Sequence, residues 1–232
     1  MSEVATGEIR GIVFDLDGTL YVSDRFAAEI QAAAAAYIAG LKGISHEEAE
    51  LLVAATRQRL TEESGTVHTL SAVCGELGGS VQELHRLFES TLRPEAHLVR
   101  DERVIRLLER LAGRFSLYIY TNNNRVLTAR ILSYLGLGGT MRGIFTIDDA
   151  WRGKPDEEMV KRVLEAIGLA PNEALFVGDR YDVDLRLPEQ LGCPVYLSQN
   201  PEQLLRLENL LITTSLSGGT PATPAYPRAV RS

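Results

Sequence analysis

The sequence predicts an α/β fold: a Rossmann-like, doubly wound parallel sheet as the core, with a helical cap domain inserted after the first strand. Two observations predict it. Short apolar runs recur along the 232 residues, and each ends abruptly in polar residues, as buried parallel strands do. Helical hydrophobic patterns alternate with these runs, except between the first and second, where several helical patterns follow one another without a strand.

Five apolar runs are the predicted strands. The first, residues 11–14, leads directly into Asp15-Leu16-Asp17-Gly18. The other four span residues 115–120, 144–147, 174–177 and 194–197, with helical patterns over residues 104–111, 127–135 and 159–167. In such sheets ligands bind beyond the carboxyl ends of the strands, so the polar residues that follow these runs are the candidate site residues.

The region after the first strand has the pattern of consecutive helices. Apolar residues from Phe26 to Leu41 share one helical face, and Ser80 is placed to cap a later helix. Beyond residue 212 the chain is rich in Gly, Pro, Ser and Thr, which predicts disorder. The predicted division is a core at residues 8–21 and 95–212, a cap at residues 22–94 and a disordered tail at residues 213–232.

Composition excludes several function classes. Acidic residues outnumber basic ones, 31 to 24, and the net charge of −7 disfavours binding to a nucleic acid polymer, while a small phosphorylated metabolite fits. The two cysteines, Cys74 and Cys193, lack the spacing of a zinc site or a disulfide framework, which favours a reducing cytoplasm. No apolar run is long enough to span a bilayer, so no membrane partner is predicted. The oligomeric state is not predicted.

Asp15 and Asp17 are the first candidate catalytic residues. Alternate residues of an extended chain project to the same side, so their carboxylates lie within roughly 7 Å of each other. One carboxylate can then attack phosphorus while the other handles the leaving-group proton, with a divalent cation holding the first ionised. The alternative is an Asx-turn that closes the strand. An EF-hand calcium loop is excluded, because it requires Gly at Leu20 and Glu at Phe26.

Polar residues after the later strands supply the remaining candidates. Thr121 and Asn122 can hold phosphate oxygens, although taken alone they are more typical of helix caps. Lys154 precedes Pro155, which suits the first turn of a helix and would aim the lysine at the site; alone, it is more typical of a solvated surface charge. Asp179 and Asp184 follow the fourth strand and can complete an oxygen-rich magnesium site, or merely close a turn. Because all these residues occur together after the strands of one predicted sheet, a shared catalytic site is favoured over separate caps, turns and surface charges.

These residues resemble the signatures of one family. The segment from Phe14 to Leu20, Phe-Asp-Leu-Asp-Gly-Thr-Leu, is similar to the first signature of the haloacid dehalogenase-like (HAD) phosphohydrolases. Thr121-Asn122, Lys154-Pro155 and Gly178-Asp179 with Asp184 resemble the second, third and fourth signatures in the same order.

The resemblance implies a role for each position. Asp15 would be the nucleophile and a Mg²⁺ ligand, Asp17 the general acid/base that also gives its backbone carbonyl to the metal, and Asp179 a further ligand. Thr121 would bind the phosphoryl group and Lys154 would neutralise charge. Gly18 and Asn122 are predicted to contact substrate. In the family, the second acid of the fourth signature commonly sits at the position of Val183, which is not an acid in this chain. Asp184 is therefore predicted as the metal ligand, and Asp182 is the alternative ligand.

The cap is predicted to select the substrate. Its position resembles the helical C1 cap subclass, and Tyr21 and the overall layout are similar to the pyrimidine 5′-nucleotidase branch. A polar break at residues 64–68 predicts a loop facing the core, with Thr66 and His68 contacting the leaving group; the alternative is a simple connector.

The predicted function is magnesium-dependent hydrolysis of a small phosphomonoester, such as a nucleoside monophosphate, through an aspartyl-phosphate. A sugar phosphomutase of the same superfamily and a non-catalytic binding or regulatory protein on the same fold are the alternatives. Dehalogenation is disfavoured because Asp17 supplies an acid for a phosphate leaving group.

Overall fold

The fold is a parallel five-stranded sheet flanked by helices, in a computed structural model that describes residues 8–211. The strand order is β3-β2-β1-β4-β5. The strands are β1 (Gly11–Phe14), β2 (Ser116–Tyr120), β3 (Gly143–Phe145), β4 (Ala174–Gly178) and β5 (Val195–Leu197). The predicted α/β fold class is confirmed, and the predicted tail at residues 213–232 lies outside the described residues.

The third strand is shorter than predicted. It ends at Phe145, and Ile147–Asp149 form a single turn of 3₁₀-helix instead. The Asp149 carboxylate accepts a hydrogen bond from the Thr146 backbone N–H at 2.7 Å, which turns the chain away from the sheet. Local side-chain capping of this kind competes with strand extension.

Strand β1 lies in the middle of the sheet and is buried on both faces. Ile12 and Phe14 point into a hydrophobic cluster that includes cap residues, whereas Val13 points into a second cluster on the opposite face. All four strand residues are buried. This follows from the two-residue period of a strand covered by helices on both sides, and it fixes the end of β1 at the centre of the sheet edge.

Helices occupy the rest of the described chain. Between β1 and β2 lie α1 (Asp24–Lys42), α2 (His46–Ser64), α3 (Leu70–Glu76), α4 (Val81–Thr91), α5 (Pro94–His97) and α6 (Glu102–Ala112). The later helices are α7 (Arg125–Leu135), α8 (Glu157–Ile167), α9 (Arg186–Gln190) and α10 (Pro201–Leu205). The helical content agrees with a cap, while the exact division into core, cap and tail stays a prediction. We call residues 22–94 the cap segment.

The predicted buried face of α1 is confirmed except at its last residue. Phe26 is buried and Ile30, Ala33 and Tyr37 pack against the core, whereas Leu41 is 46% exposed. Ala34, Ala35 and Ile38 are buried as well. Two adjacent alanines leave room for neighbouring helices to approach closely, so the interface centres on them and the last helical turn faces outward. The predicted cap at Ser80 is confirmed, since its hydroxyl accepts from the Glu83 N–H.

Polar contacts attach the cap segment to the core. The Asn124 side chain caps α7 by accepting from the Leu127 N–H at 2.8 Å, and it also donates to the His85 carbonyl of α4 at 3.0 Å. The Arg130 guanidinium of α7 also donates to the Glu89 carbonyl of α4 at 3.3 Å. Within residues 8–211, no helix combines the length and apolarity needed to cross a membrane.

Replacing Asn124 with alanine should destabilise the protein by about 2 kcal/mol. The change removes a helix cap worth about 1 kcal/mol and a buried hydrogen bond worth about 1 kcal/mol, because the His85 carbonyl keeps its helical partner in α4. Urea unfolding would measure the loss. The matched control is Ser45→Ala, which removes an exposed cap from α2 and should cost only about 1 kcal/mol. Equal losses for both variants would show that the contact to His85 contributes nothing.

Candidate active site

A buried lysine lies between two carboxylates at the carboxyl end of the sheet. The Lys154 ammonium donates to Asp15 at 2.5 Å, to Asp184 at 2.6 Å and to the Tyr120 carbonyl at 3.0 Å. All three charged side chains are 3% exposed or less. The geometry therefore joins the loop after β1, the segment before α8 and the loop after β4 into one charged cluster.

Lys154 is held by a neighbour rather than by a helix. Helix α8 begins at Glu157 with Asp156 as its cap, so Pro155 is not in its first turn and the predicted way of aiming the lysine is wrong. Instead, the Lys154 backbone N–H donates to the side-chain carbonyl of Asn122 at 2.7 Å. Asn122 follows β2, so the strand end itself fixes where Lys154 enters the site.

Burial and mutual attraction set the protonation of this cluster. Burial raises the pKa of Asp15, and the adjacent Lys154 charge opposes that rise. Burial would also lower the pKa of Lys154, but Asp15 and Asp184 outweigh it and raise the pKa. Burial alone would raise the pKa of Asp184, but the charges and hydrogen bonds of Lys154 and Arg180 together outweigh burial, so the pKa is lowered and the carboxylate stays ionised.

Three carboxylates converge as a metal site requires. Oxygens of Asp15, Asp179 and Asp184 all lie within 4.8 Å of one another. One buried oxygen of Asp179 accepts no hydrogen bond from any described residue, and burial raises the pKa of Asp179 to about 6. Such an oxygen set suits a hard divalent cation. Asp182 is excluded from the cluster, with its side chain 47% exposed and facing Arg186 at 3.7 Å.

The unusual spacing of Asp184 has a local cause. Residues Tyr181–Leu185 form a π-helical turn, in which the Arg186 N–H bonds to the Tyr181 carbonyl five residues earlier. A π turn accommodates one more residue than an α turn and often occurs at functional sites. The added residue brings Asp184 to the lysine, while Val183 packs in the protein as a buried apolar side chain.

Gly18 allows Asp179 to approach the first loop. Its φ is +87°, a conformation that favours glycine, and a Cβ at this position would lie 2.5 Å from an Asp179 oxygen. The Gly18 N–H bonds to the Tyr21 carbonyl at 2.9 Å. The predicted substrate contact of Gly18 stays a prediction, whereas its packing against Asp179 is a feature of the structure.

Asp17 is held by two neutral donors. The Asn123 amide donates to one carboxylate oxygen at 2.6 Å, and the Tyr21 hydroxyl donates to the other. Burial raises the pKa of Asp17, and the bond from Tyr21 opposes this. Both oxygens are therefore oriented, in a surrounding that favours a carboxyl able to give and take a proton.

Thr121 and Asn122 do not cap a helix. The cap of α7 is Asn124, so the capping alternative is wrong for these two residues. The buried Thr121 hydroxyl accepts from the Asn123 N–H at 3.1 Å, and the Asn122 amide nitrogen is buried without a hydrogen-bond partner among the described residues. Both side chains therefore retain hydrogen-bonding capacity at the carboxyl end of the sheet.

The predicted cap loop borders the site. Thr66 and His68 line a cavity of about 360 Å³ that also reaches Trp151 and Lys154. Within the loop, the Ser64 hydroxyl lies 2.9 Å from the His68 ring and 3.1 Å from the Thr66 hydroxyl. The loop thus shares a cavity with the core lysine, as its predicted role requires.

Sequence reasoning missed three residues of this region. Asn123, which holds Asp17, stands in the Thr-Asn-Asn-Asn run that follows β2, and the run itself was the available signal. Arg180 follows Asp179 directly, and its side chain lies 3.7 Å from Asp179 and 3.6 Å from Asp184. Trp151 has a positive φ of 56°, uncommon for a bulky residue, and no sequence pattern indicates it.

Comparison with known proteins identifies the family. The sequence profile described as haloacid dehalogenase-like hydrolase matches residues 9–192. The chain belongs to the haloacid dehalogenase-like hydrolases. The matched residues include Asp15, Lys154 and Asp184, the members of the charged cluster. The match confirms the family resemblance carried by the four signatures.

Individual relatives agree with this assignment. The chain is 28% identical over 197 residues to a glyceraldehyde 3-phosphate phosphatase of Methanocaldococcus jannaschii, covering 79% of this chain and 82% of that protein. It is 29% identical over 195 residues to a phosphoglycolate phosphatase of Photorhabdus laumondii, covering 83% and 81%. A HAD phosphatase structure from Thermococcus onnurineus shares the fold, with a TM-score of 0.61 at 20% identity over 88% of this chain and 98% of that one.

Gly18→Ala should destabilise the protein by about 2–4 kcal/mol, because it adds a steric clash with Asp179 to the cost of a positive φ. Gly43→Ala is the matched control: Gly43 also has a positive φ, of 66°, but nothing lies within 4 Å of its added Cβ, and it should cost about 1 kcal/mol. Thermal unfolding of both variants measures the difference. Equal losses would mean that Asp179 moves aside freely and that Gly18 does not position it.

Proposed function

We propose that this hydrolase is a magnesium-dependent phosphatase that cleaves small phosphomonoesters through a phosphoryl group carried on Asp15. The observation that carries the proposal is the buried cluster of Asp15, Lys154 and Asp184 beside Asp179, with Asp17 held next to it. The phosphatase names of the two relatives described above support the same reaction.

The carboxylates fit a divalent cation. Asp15, Asp179 and Asp184 would hold Mg²⁺, together with the Asp17 backbone carbonyl that the family resemblance implies. Within the described residues, the carboxylates of Asp15, Asp179 and Asp184 form ion pairs with Lys154 and Arg180, so three negative charges meet two positive ones, and a divalent ion would balance the excess. When bound, the ion would offset repulsion between Asp15 and the phosphate and stabilise the charge of the transferring group.

The residues divide the reaction into two steps. Asp15 attacks phosphorus, the bond to the leaving oxygen breaks, and Asp17 gives its proton to that oxygen. Asp17 then takes a proton from water, whose oxygen attacks phosphorus and releases inorganic phosphate from Asp15. Lys154 offsets charge on Asp15 during both steps, since its ammonium touches that carboxylate. Thr121, Asn122 and Gly18 would contact the phosphate oxygens.

Substrate choice is assigned to the cap segment. Thr66 and His68 share the cavity that reaches Lys154, which supports a contact with the leaving group. The named relatives act on glyceraldehyde 3-phosphate and phosphoglycolate, and these names favour a short phosphorylated metabolite over the nucleoside monophosphate suggested by the nucleotidase branch. Release of inorganic phosphate would separate this activity from that of a phosphomutase. The cytoplasmic location stays a prediction.

Asp15→Asn should lower turnover by more than about 1,000-fold while the fold is retained, because an amide is a poor nucleophile. Phosphate release from a panel of phosphomonoesters measures the loss, and circular dichroism checks the fold. Beryllium fluoride, which mimics a phosphoryl group, should be found against Asp15 in a crystal of the native protein. Binding to Asp17 instead, or substantial turnover by the variant, would contradict the covalent mechanism.

Asp179→Ala should raise the magnesium concentration needed for half-maximal activity, and magnesium titration by calorimetry should show weaker binding. Asp182→Ala is the matched control, since its exposed carboxylate lies outside the cluster, and it should change neither value. Calcium should not replace magnesium, because it prefers a larger and looser oxygen shell. A stronger effect of Asp182→Ala than of Asp179→Ala would overturn this ligand set.

A further inference from the structure

The Tyr21 side chain belongs partly to the hydrophobic core and partly to the site. It is 7% exposed, and the centroid of its ring lies 6.4 Å from that of the Phe26 ring of α1. Among the described residues, its hydroxyl makes one hydrogen bond, which it donates to the Asp17 carboxylate. The ring therefore accounts for packing, whereas the hydroxyl acts on Asp17.

Backbone hydrogen bonds fix the place of Tyr21 relative to Asp17. The Leu20 N–H donates to the Leu16 carbonyl at 3.0 Å, and the Gly18 N–H donates to the Tyr21 carbonyl at 2.9 Å. Asp17 and Tyr21 also form an isolated parallel β-bridge. The turn after β1 thus returns the chain to Asp17, so the hydroxyl is placed by a closed backbone turn as well as by the packing of its ring.

Asn123 holds the same carboxyl group from another part of the sheet. Its amide donates at 2.6 Å to the Asp17 oxygen that Tyr21 does not contact, and its backbone carbonyl accepts from the Ile147 N–H at 3.1 Å. The terminal torsion of an aspartate side chain has a broad energy profile, so a carboxyl without partners rotates widely. Two donors, one from the turn after β1 and one from the segment after β2, confine that rotation.

This orientation matters for the first step of the proposed reaction. As an oxygen of Asp15 bonds to phosphorus, the bond from phosphorus to the leaving oxygen breaks, and the proton of Asp17 moves to that oxygen. Such a transfer requires the carboxyl to come within about 2.6–3.2 Å of the leaving oxygen in the right direction. Tyr21 neither gains nor loses a proton in this step, so its effect is on geometry.

We propose that Tyr21 is a positioning residue, whose hydroxyl keeps the Asp17 carboxyl aimed at the leaving oxygen of the substrate. The proposal rests on the proposed phosphatase function and deepens it. The contribution of Tyr21 should depend on how much the leaving group needs a proton. An aliphatic alcohol leaves poorly as an anion, whereas p-nitrophenol is a far stronger acid and leaves readily without general-acid assistance.

The test measures kcat/KM for phosphoglycolate, phenyl phosphate and p-nitrophenyl phosphate at saturating magnesium, by phosphate release. The two aryl compounds are similar in shape and differ in leaving-group acidity. Hydrolysis of the aspartyl-phosphate is common to all three and does not enter kcat/KM.

Tyr21→Phe keeps the ring and removes only the hydroxyl. It should lower kcat/KM about 10- to 100-fold for phosphoglycolate, part of the roughly 100- to 10,000-fold contribution of general-acid catalysis. The loss should be smaller for phenyl phosphate, and for p-nitrophenyl phosphate it should stay within about threefold. A graded loss of this kind is not expected from a general disturbance of the fold, which would affect all three compounds alike.

An Asp17→Asn background separates positioning from other effects of the hydroxyl. Because Tyr21 is proposed to act through Asp17, adding Tyr21→Phe to Asp17→Asn should change kcat/KM for phenyl phosphate by no more than about twofold. The two substitutions would then be strongly non-additive, as expected for residues that act as one unit.

Tyr37→Phe is the matched control. Tyr37 lies on α1, where its hydroxyl accepts from the Ser80 N–H at 2.7 Å and donates to Glu83 at 3.0 Å, both within the cap segment. The substitution makes the same chemical change outside the catalytic residues, and it should alter kcat/KM for each of the three compounds by less than about twofold.

Three outcomes would overturn the positioning role. An equal loss on all three compounds would indicate a structural effect, and undiminished activity of Tyr21→Phe on phosphoglycolate would show that Asn123 alone suffices. A further large loss in the Asp17→Asn background would show that the hydroxyl does not act through Asp17. Each of these leaves the phosphatase function intact. Failure of the native enzyme to release phosphate from any of the three compounds would instead contradict the proposed function, and the role of Tyr21 with it.

Discussion

The contact of the Lys154 ammonium with Asp15 and Asp184 is the interaction on which the site depends. Its three charges are almost completely excluded from solvent, and removal of one partner would leave the others buried and unbalanced. The three residues come from the ends of β1 and β4 and from the segment before α8. The same contact that balances charge therefore holds three separate loops together.

Charge distribution explains how an acidic protein can act on phosphate. Carboxylates dominate the core side of the site, where they suit a divalent cation, and Lys154 supplies the buried positive charge beside Asp15. The net charge of −7 therefore does not predict the electrostatic potential at the site.

Several particulars of the site follow from packing that local sequence does not encode. Pro155 indicated a helix start that would aim Lys154, yet the helix begins two residues later and Asn122 holds the lysine through its backbone. Thr121 and Asn122 are residue types that often begin helices, but Asn124 is the N-cap residue of α7. Asn124 also donates a hydrogen bond to the cap segment. In each case a contact between distant segments prevails over a local preference.

The sequence by itself determined the strands and the carboxylates that follow them, because an apolar run that stops at polar residues is a local pattern and parallel strands end at one edge. It also determined the family. Only the tertiary structure decided that Asp184 rather than Asp182 joins Lys154, since a π-helical turn sets which way each side chain points.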